Sequence, residues 1–145
     1  MLQTVYLLAE DPMMNKEFTT EFIHRYSYVV KDIIRGNNHS VFYVGNRKKT
    51  LIINEDVRQL RRIIIKVFEV EENAFVRNMI KGLLNGKSST AIMMEMHMAK
   101  NAFIERKHRF EDKVFMYCIY HGLVTVEELE QVSIFDRKNP QNANL

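Results

Sequence analysis

Residues 88 to 114 read SSTAIMMEMHMAKNAFIERKHRFEDKV, and this stretch decides the fold. Ser88 is a residue type that caps helices, and it predicts a first short helix. A turn is predicted at residues 96 to 98, followed by a heavily charged second helix from about residue 99 to 117. The apolar positions expected to face inward are Ala91, Ile92 and Met96 in the first helix and Ala102, Phe103, Phe110 and Val114 in the second. Two helices joined by a tight turn predict a helix-turn-helix, which places its second helix in a DNA groove.

The outer face of the second helix carries residue types that can read DNA bases. Asparagine pairs with adenine, lysine with guanine, glutamate with the cytosine amino group, and an aliphatic side chain contacts the thymine methyl. Basic residues beside them are placed for phosphates. The residues predicted to face outward are Lys100, Asn101, Ile104, Glu105 and His108, flanked by Arg106, Lys107 and Arg109. The stretch therefore predicts major-groove reading, with double-stranded DNA as the partner.

Residues 73 to 114 resemble region four of bacterial sigma factors, and more closely the sigma-like phage late-gene regulators of the ArpU/RinA type. The pieces that match this pattern are Gly86-Lys87-Ser88, Ile92 to Met96, Met98-Ala99 with Phe103, and Lys113-Val114. The resemblance covers about residues 70 to 117. It implies base reading by Lys100, Asn101, Ile104 and Glu105, with Arg109 on phosphate. It also implies control of promoters in a phage or mobile element, with RNA polymerase as a partner.

Four positions depart from this pattern. His97 stands in a turn that usually carries Gly or Asn, because a residue there often needs a positive φ. Ala99 replaces a Ser/Thr cap and gives up about 0.5–2 kcal/mol of local support. Arg106 stands where an apolar residue is usual, and Met93 replaces a small alanine. An altered helix geometry, or a degenerate motif that serves protein contacts, would account for these changes.

The remaining periodicity predicts a mainly α fold with a small β-hairpin. The chain divides into residues 1–70, with N-terminal helices and the hairpin, residues 71–122, with the helix-turn-helix, and residues 123–145, with a short helix capped by Thr125 and a frayed tail. In residues 1–70 the spacing predicts one helix over 15–35, with Asn15 as its cap and Gly36 as its end. Strands are predicted at 41–44 and 50–53, followed by a helix that Asn54 opens. The next predicted helix covers 71–84 and is ended by Asn85-Gly86. The hairpin tip would be Arg47-Lys48-Lys49.

The charge is unevenly distributed. Residues 31 to 66 hold nine basic side chains against three acidic ones, although the whole chain has a net charge of only +3. Such a block favours a surface for polyanions, of which nucleic acid is the common case. A solvated helix face explains it equally well. For the hairpin tip, a wing on the DNA backbone and a solubilising turn are equally favoured.

Sequence motifs argue against an enzyme. The single cysteine, Cys118, lies in an apolar context and is expected to be buried and inert. The five histidines lack metal-ligand spacing, so neither a metal nor another cofactor is expected. Glu69, Glu71 and Glu72 have no accompanying nucleophile or phosphate-binding loop and favour a solvated helix start. With no long apolar run and no signal-peptide pattern, we expect a cytoplasmic protein without a membrane span.

Two other functions remain open from the sequence. One is a protein-interaction module, an inhibitor or adaptor of RNA polymerase or of a regulator, that does not bind DNA. An outward face covered by the N-terminal helices would favour that module, whereas an exposed basic face favours DNA. The other is RNA binding through the hairpin, with Phe42 and Tyr43 as the stacking candidates. Homodimerisation is also open, because the helix over 15–35 can form an interface or cover the core.

Overall fold

The computed structural model describes residues 9, 10 and 14 to 124, and over these residues the protein is mainly helical. Its elements are β1 (Ala9–Glu10), α1 (Lys16–His24), α2 (Tyr26–Ile34), β2 (His39–Val44), β3 (Arg47–Ile52), α3 (Glu55–Glu69), α4 (Ala74–Leu84), α5 (Ser89–Met96) and α6 (Lys100–Tyr120). The predicted fold class, helices with a small hairpin, is confirmed. The predicted helix capped by Thr125 and the tail lie outside the described residues.

The prediction of one helix over residues 15 to 35 is wrong, because the helix breaks at Arg25. The cap is as predicted, since the Asn15 side chain accepts from the Phe18 amide at 2.7 Å. Arg25 leaves the helical conformation with φ −102° and ψ 10°. Its guanidinium pairs with Glu21 and stacks over the Phe42 ring at 5.4 Å. The apolar spacing continues across the break without a Gly or Pro, so periodicity alone could not reveal it.

The hairpin is present, but its turn is shorter than predicted. Only Gly45 and Asn46 connect the strands, and Gly45 has φ 63°. A glycine with positive φ at the first central position is what a type II′ turn requires. Arg47, Lys48 and Lys49 therefore belong to β3, opposite Val44, Tyr43 and Phe42, instead of forming the tip. All three basic side chains are exposed.

The sheet is mixed and has the strand order β1-β3-β2. One hydrogen bond attaches it to α2, because the Ser40 hydroxyl donates to Asp32 at 2.6 Å. Asn37, in the connection before β2, donates its side-chain amide to the same carboxylate at 2.8 Å. These bonds lower the pKa of the Asp32 carboxyl below its usual value. Ser40 is itself buried, so this contact fixes β2 against the end of α2.

Helix α3 packs its apolar face against α6. Asn54 caps it as predicted, accepting from the Val57 amide at 3.0 Å. The buried residues of this helix are Val57, Leu60, Ile63, Ile64 and Val67. On the outer side, Glu55 lies 3.2 Å from the Arg62 guanidinium and 3.9 Å from that of Arg58. The basic face of α3 is therefore partly neutralised within the helix.

Helix α4 contacts both α5 and α6. It starts at Ala74 instead of residue 71, because the Asn73 side chain accepts from the amides of Phe75 and Val76. Phe75, in the first turn of this helix, is 41% exposed. Met79 and Ile80 are buried. A Cβ on Gly82 would lie only 3.0 Å from Ile92 Cγ1, so a glycine permits the close approach of α4 and α5.

The single thiol lies in the core. Cys118 is fully buried, and burial raises the pKa of its thiol to about 12. The predicted burial is confirmed, and a thiolate is scarce at neutral pH when the pKa is so high. Among the helices of the described ranges, none combines the length and apolar character needed to cross a membrane.

Candidate nucleic-acid interface

A three-residue turn separates α5 from α6. The Ser88 hydroxyl caps α5 by accepting from the Ala91 amide at 3.1 Å. At the other end, His97 has φ 52° and ψ 44°, which is the left-handed conformation. The Met98 amide donates to the Met93 carbonyl at 2.9 Å and the His97 amide to Met94 at 3.4 Å. This pair of bonds is a Schellman motif, which stops α5 and redirects the chain into α6.

Because His97 is held in the left-handed region, we expect His97→Gly to stabilise the protein. A side chain in this conformation costs the folded state roughly 1–2 kcal/mol. Glycine removes that cost, but its extra conformational freedom stabilises the unfolded chain by about 0.4–1 kcal/mol. The net gain is about 0.5–1 kcal/mol, measured as a shift of the urea midpoint.

His108→Gly is the matched control, since His108 is also exposed but lies inside α6. There glycine should destabilise by about 0.5 kcal/mol, because helix interiors disfavour it. Shifts of the same sign at both positions would contradict the role of the turn.

The first turns of α6 present one exposed face. Phe103, Phe110 and Val114 are 2%, 3% and 0% exposed and anchor the opposite side. Steps of three and four residues return to the same side of a helix, and the exposed residues follow them. The members of this exposed stripe are Lys100, Asn101, Ile104, Glu105, His108 and Arg109. The structure thus brings together the four residues predicted to read bases, with His108 and Arg109 beside them.

Arg106 and Lys107 lie off the exposed stripe and are half-buried. The Arg106 guanidinium stacks over the Phe75 ring at 5.1 Å. The Lys107 ammonium lies 3.9 Å from the Glu111 carboxylate, and its side chain is 18% exposed. Both cations are engaged with the body of the protein, so they add positive potential beside the stripe and are not on it.

Helix α1 packs against one side of the C-terminal half of α6, a feature that sequence reasoning missed. Lys16 pairs with Asp112, and its ammonium lies 5.9 Å from the centre of the Phe115 ring. His24 Nε2 lies 3.5 Å from Glu111 Oε2, which is buried. These contacts begin at residue 111 and lie on one side of α6, while Met116 and Tyr120 on the other side stay 63% and 85% exposed. No local spacing could have revealed this, because the partners are far apart in the sequence.

A cleft between α4 and α5 is the other feature that the sequence did not indicate. It has a volume of about 370 Å³, and Lys81, Lys87, Asn85 and Glu95 are among its lining residues. Lys87 donates to the Glu95 carboxylate at 2.7 Å, which closes part of its rim with an internal ion pair. A polar lining of this kind differs from the mostly apolar walls of small-molecule sites.

Within the described ranges, no three His, Cys, Asp or Glu side chains are grouped so that they could hold a metal ion. The Glu71 carboxylate lies 3.7 Å from the Lys113 ammonium and accepts from the Asn73 amide at 3.2 Å. It thus has a local structural role at the approach to α4.

Comparison with protein-family models, curated proteins and solved structures finds no match to this chain. The likeness to sigma region four is a resemblance of residue pattern, and the exposed stripe is the feature of the structure that bears on function.

Proposed function

We propose that the protein is a sequence-specific DNA-binding regulator of transcription that reads the major groove with the first turns of α6. The observation that carries this proposal is the exposed stripe, which gathers an amide, an ammonium, a carboxylate and an aliphatic side chain on the side of α6 opposite Phe103. In helix-turn-helix proteins the N-terminal residues of the second helix contact the base edges. The short turn at His97 and the free first turns of α6 match that requirement.

Each base-reading residue has a chemically defined target. Asn101 is suited to the paired donor and acceptor of adenine, and Lys100 to the two acceptors of guanine. Ile104, 37% exposed, is suited to a thymine methyl. Glu105 can accept from a cytosine amino group, although it pairs with Arg109 in the free protein. Binding to cytosine would release Arg109 for a neighbouring phosphate.

Positive charge around the stripe supports the same proposal. Residues 97 to 109 contain four basic side chains and one acidic side chain. Phosphate contacts dominate the affinity of DNA-binding proteins and make it dependent on salt. By the resemblance to sigma-like regulators, the genes would belong to a phage or mobile element, the protein would act as their activator, and RNA polymerase would be a partner.

The direct test is fluorescence anisotropy with a labelled duplex pool across a salt series. We expect the logarithm of the binding constant to fall linearly with the logarithm of salt concentration, by about 0.9 for each phosphate contacted. A protein that binds no duplex even at low salt would contradict the proposal.

The basic residues of β3 give a second prediction, the wing hypothesis. Replacing Arg47, Lys48 and Lys49 together by alanine should weaken binding to all duplexes alike, because phosphate contacts carry no sequence information. Arg47 and Lys49 share one face of the strand and Lys48 lies on the other, so at most two can meet one DNA backbone. The slope of the logarithm of the binding constant against the logarithm of salt concentration should therefore decrease in magnitude by about 1 to 2, measured by anisotropy.

Arg58→Ala/Arg62→Ala is the control for this wing hypothesis, because Glu55 already pairs with both arginines. An unchanged slope in the β3 variant, or an equal drop in the control, would reject the wing.

A protein-interaction module is the second candidate function. Exposed apolar side chains favour it, since Met94 on α5 is 72% exposed and Ile104 on α6 is 37% exposed. Solvent-facing aliphatic groups of this kind are suited to a protein surface as well as to a thymine methyl. Absence of DNA binding together with direct binding to purified RNA polymerase, lost in Met94→Lys, would favour this function.

A further inference from the structure

Among the strands that the structure describes, β2 forms an edge of the sheet, and its register shows which backbone groups face outward. Val44 opposite Arg47 closes the two-residue turn, and hydrogen-bonded pairs alternate along an antiparallel ladder. The Ile53 amide donates to the Asn38 carbonyl at 2.8 Å, which agrees with that alternation. Ser40 and Phe42 therefore bond to β3, while His39, Val41 and Tyr43 direct their N–H and C=O groups away from the sheet.

The composition of this edge is unusual for an edge left to solvent. Proteins commonly protect such edges with charged residues, especially lysine, or with proline. Strand β1 pairs only with Thr50 and Leu51 of β3. The rest of that β3 edge carries the charged residues Arg47, Lys48 and Lys49. Strand β2, HSVFYV, has no Lys, Arg, Asp, Glu or Pro. Its outward residues Val41 and Tyr43 are 46% and 62% exposed.

We propose that β2 pairs antiparallel with β2 of a second copy of this chain, about a two-fold axis through Val41. In that register Val41 lies opposite Val41 of the second copy, and His39 lies opposite Tyr43 of the second copy. Every outward residue then exchanges both of its backbone hydrogen bonds, because the three are spaced symmetrically about Val41. The strand is therefore its own complement, as a two-fold interface requires.

Charge and side-chain character favour a second copy over a foreign peptide. The uncharged strand brings no like charges into opposition when it pairs with itself, and like charges directly opposite destabilise a ladder. It also offers no charged group that would select an acidic or basic peptide. Pairing continues the sheet across the axis and joins the exposed Val41 and Tyr43 of both copies into one apolar surface. Phe42, half-buried against Arg25, stays on the opposite face.

The dimer adds a consequence that rests on the proposed function. Two copies of α6 related by a two-fold axis would read two half-sites arranged as an inverted repeat. The dimer itself can be measured without DNA, so failure of the dimer and failure of DNA binding are separate results.

A charge swap at Val41 tests the interface by sedimentation velocity of the full chain over a wide concentration range. We expect a wild-type dimer. Val41→Lys and Val41→Glu should each raise the dimer dissociation constant by roughly a hundredfold, because each places like charges on the axis. An equimolar mixture of the two variants should restore the dimer, since the ammonium introduced in one copy would then face the carboxylate introduced in the other.

Restoration by mixing also shows that each variant is folded. Should either variant fail to fold, Tyr43→Lys provides a second test at a more exposed position, with loss of the dimer expected. Ile34→Lys is the control, at a 69% exposed apolar position on α2, and should leave the dimer intact. A monomeric wild type, dimers in both Val41 variants, or a dimer lost only in Ile34→Lys would overturn the proposal.

Discussion

Replacing Phe103 by alanine is expected to lower the free energy of unfolding by about 3–5 kcal/mol. Phe103 is 2% exposed and lies in the first turns of α6, on the side opposite the exposed stripe. Its loss leaves a cavity that the surrounding helices can fill only in part. Small domains have about 5–15 kcal/mol of total stability, so the variant should be marginally folded. Urea unfolding followed by circular dichroism measures the change.

Phe75→Ala is the matched control for Phe103→Ala. Phe75 is also a phenylalanine on a helix, but it is 41% exposed and stacks with Arg106. A cation–π contact at such a site contributes about 0.5–1 kcal/mol, so its replacement should cost less than half as much. Equal losses at both positions would mean that Phe103 does not anchor α6 as the structure indicates.

The largest effect on function is expected from Lys100→Ala/Asn101→Ala. Both side chains are exposed in the first turn of α6, and each base contact accounts for about 1–3 kcal/mol of discrimination. If the two contributions add, the binding free energy for a preferred duplex becomes less favourable by about 2–6 kcal/mol. Affinity for a scrambled duplex should fall much less, because only one positive charge is lost. Anisotropy titrations with both duplexes at one salt concentration measure the difference.

The control for this double variant is Lys113→Ala/Met116→Ala. It removes one positive charge from the same helix, on the part of α6 that follows the exposed stripe, and both side chains are more than half exposed. We expect little change in the ratio between the two duplexes. A control that reduces selectivity as strongly as Lys100→Ala/Asn101→Ala would place base reading outside the exposed stripe.

Local signals in the sequence predicted most helix ends correctly. Asn15, Asn54 and Ser88 each cap the expected helix, because a short polar side chain next to an apolar repeat can satisfy a free amide. Gly36 and Gly86 follow the ends of α2 and α4 with positive φ, which glycine adopts without strain. Such features depend on neighbouring residues alone, so they can be read directly from the chain.

Features that depend on distant contacts were not predictable in this way. The break at Arg25 involves the Phe42 ring across the hairpin, and the exposure of Phe75 depends on where α6 places Arg106. The short turn at Gly45 moved Arg47 into β3, because a two-residue connection lets the ladder extend further than a longer loop would.

The candidate site also combines features that the sequence predicted with features that depend on distant contacts. Periodicity separated Phe103 and Phe110 from Lys100 and Asn101 correctly, since a helix has a fixed repeat. It gave no means to see that α1 contacts one side of the helix from Glu111 onward, through Lys16 and His24. The half-buried positions of Arg106 and Lys107 likewise follow from tertiary packing.

The most direct test of the central claim is the sequence selectivity of the wild-type protein. Duplexes selected from a randomised pool would be compared with scrambled duplexes of the same composition, at the same salt concentration. Reading by the exposed stripe of α6 predicts at least about a thousandfold preference for the selected duplex. Equal affinity for the two duplexes, or no binding to either, would contradict it.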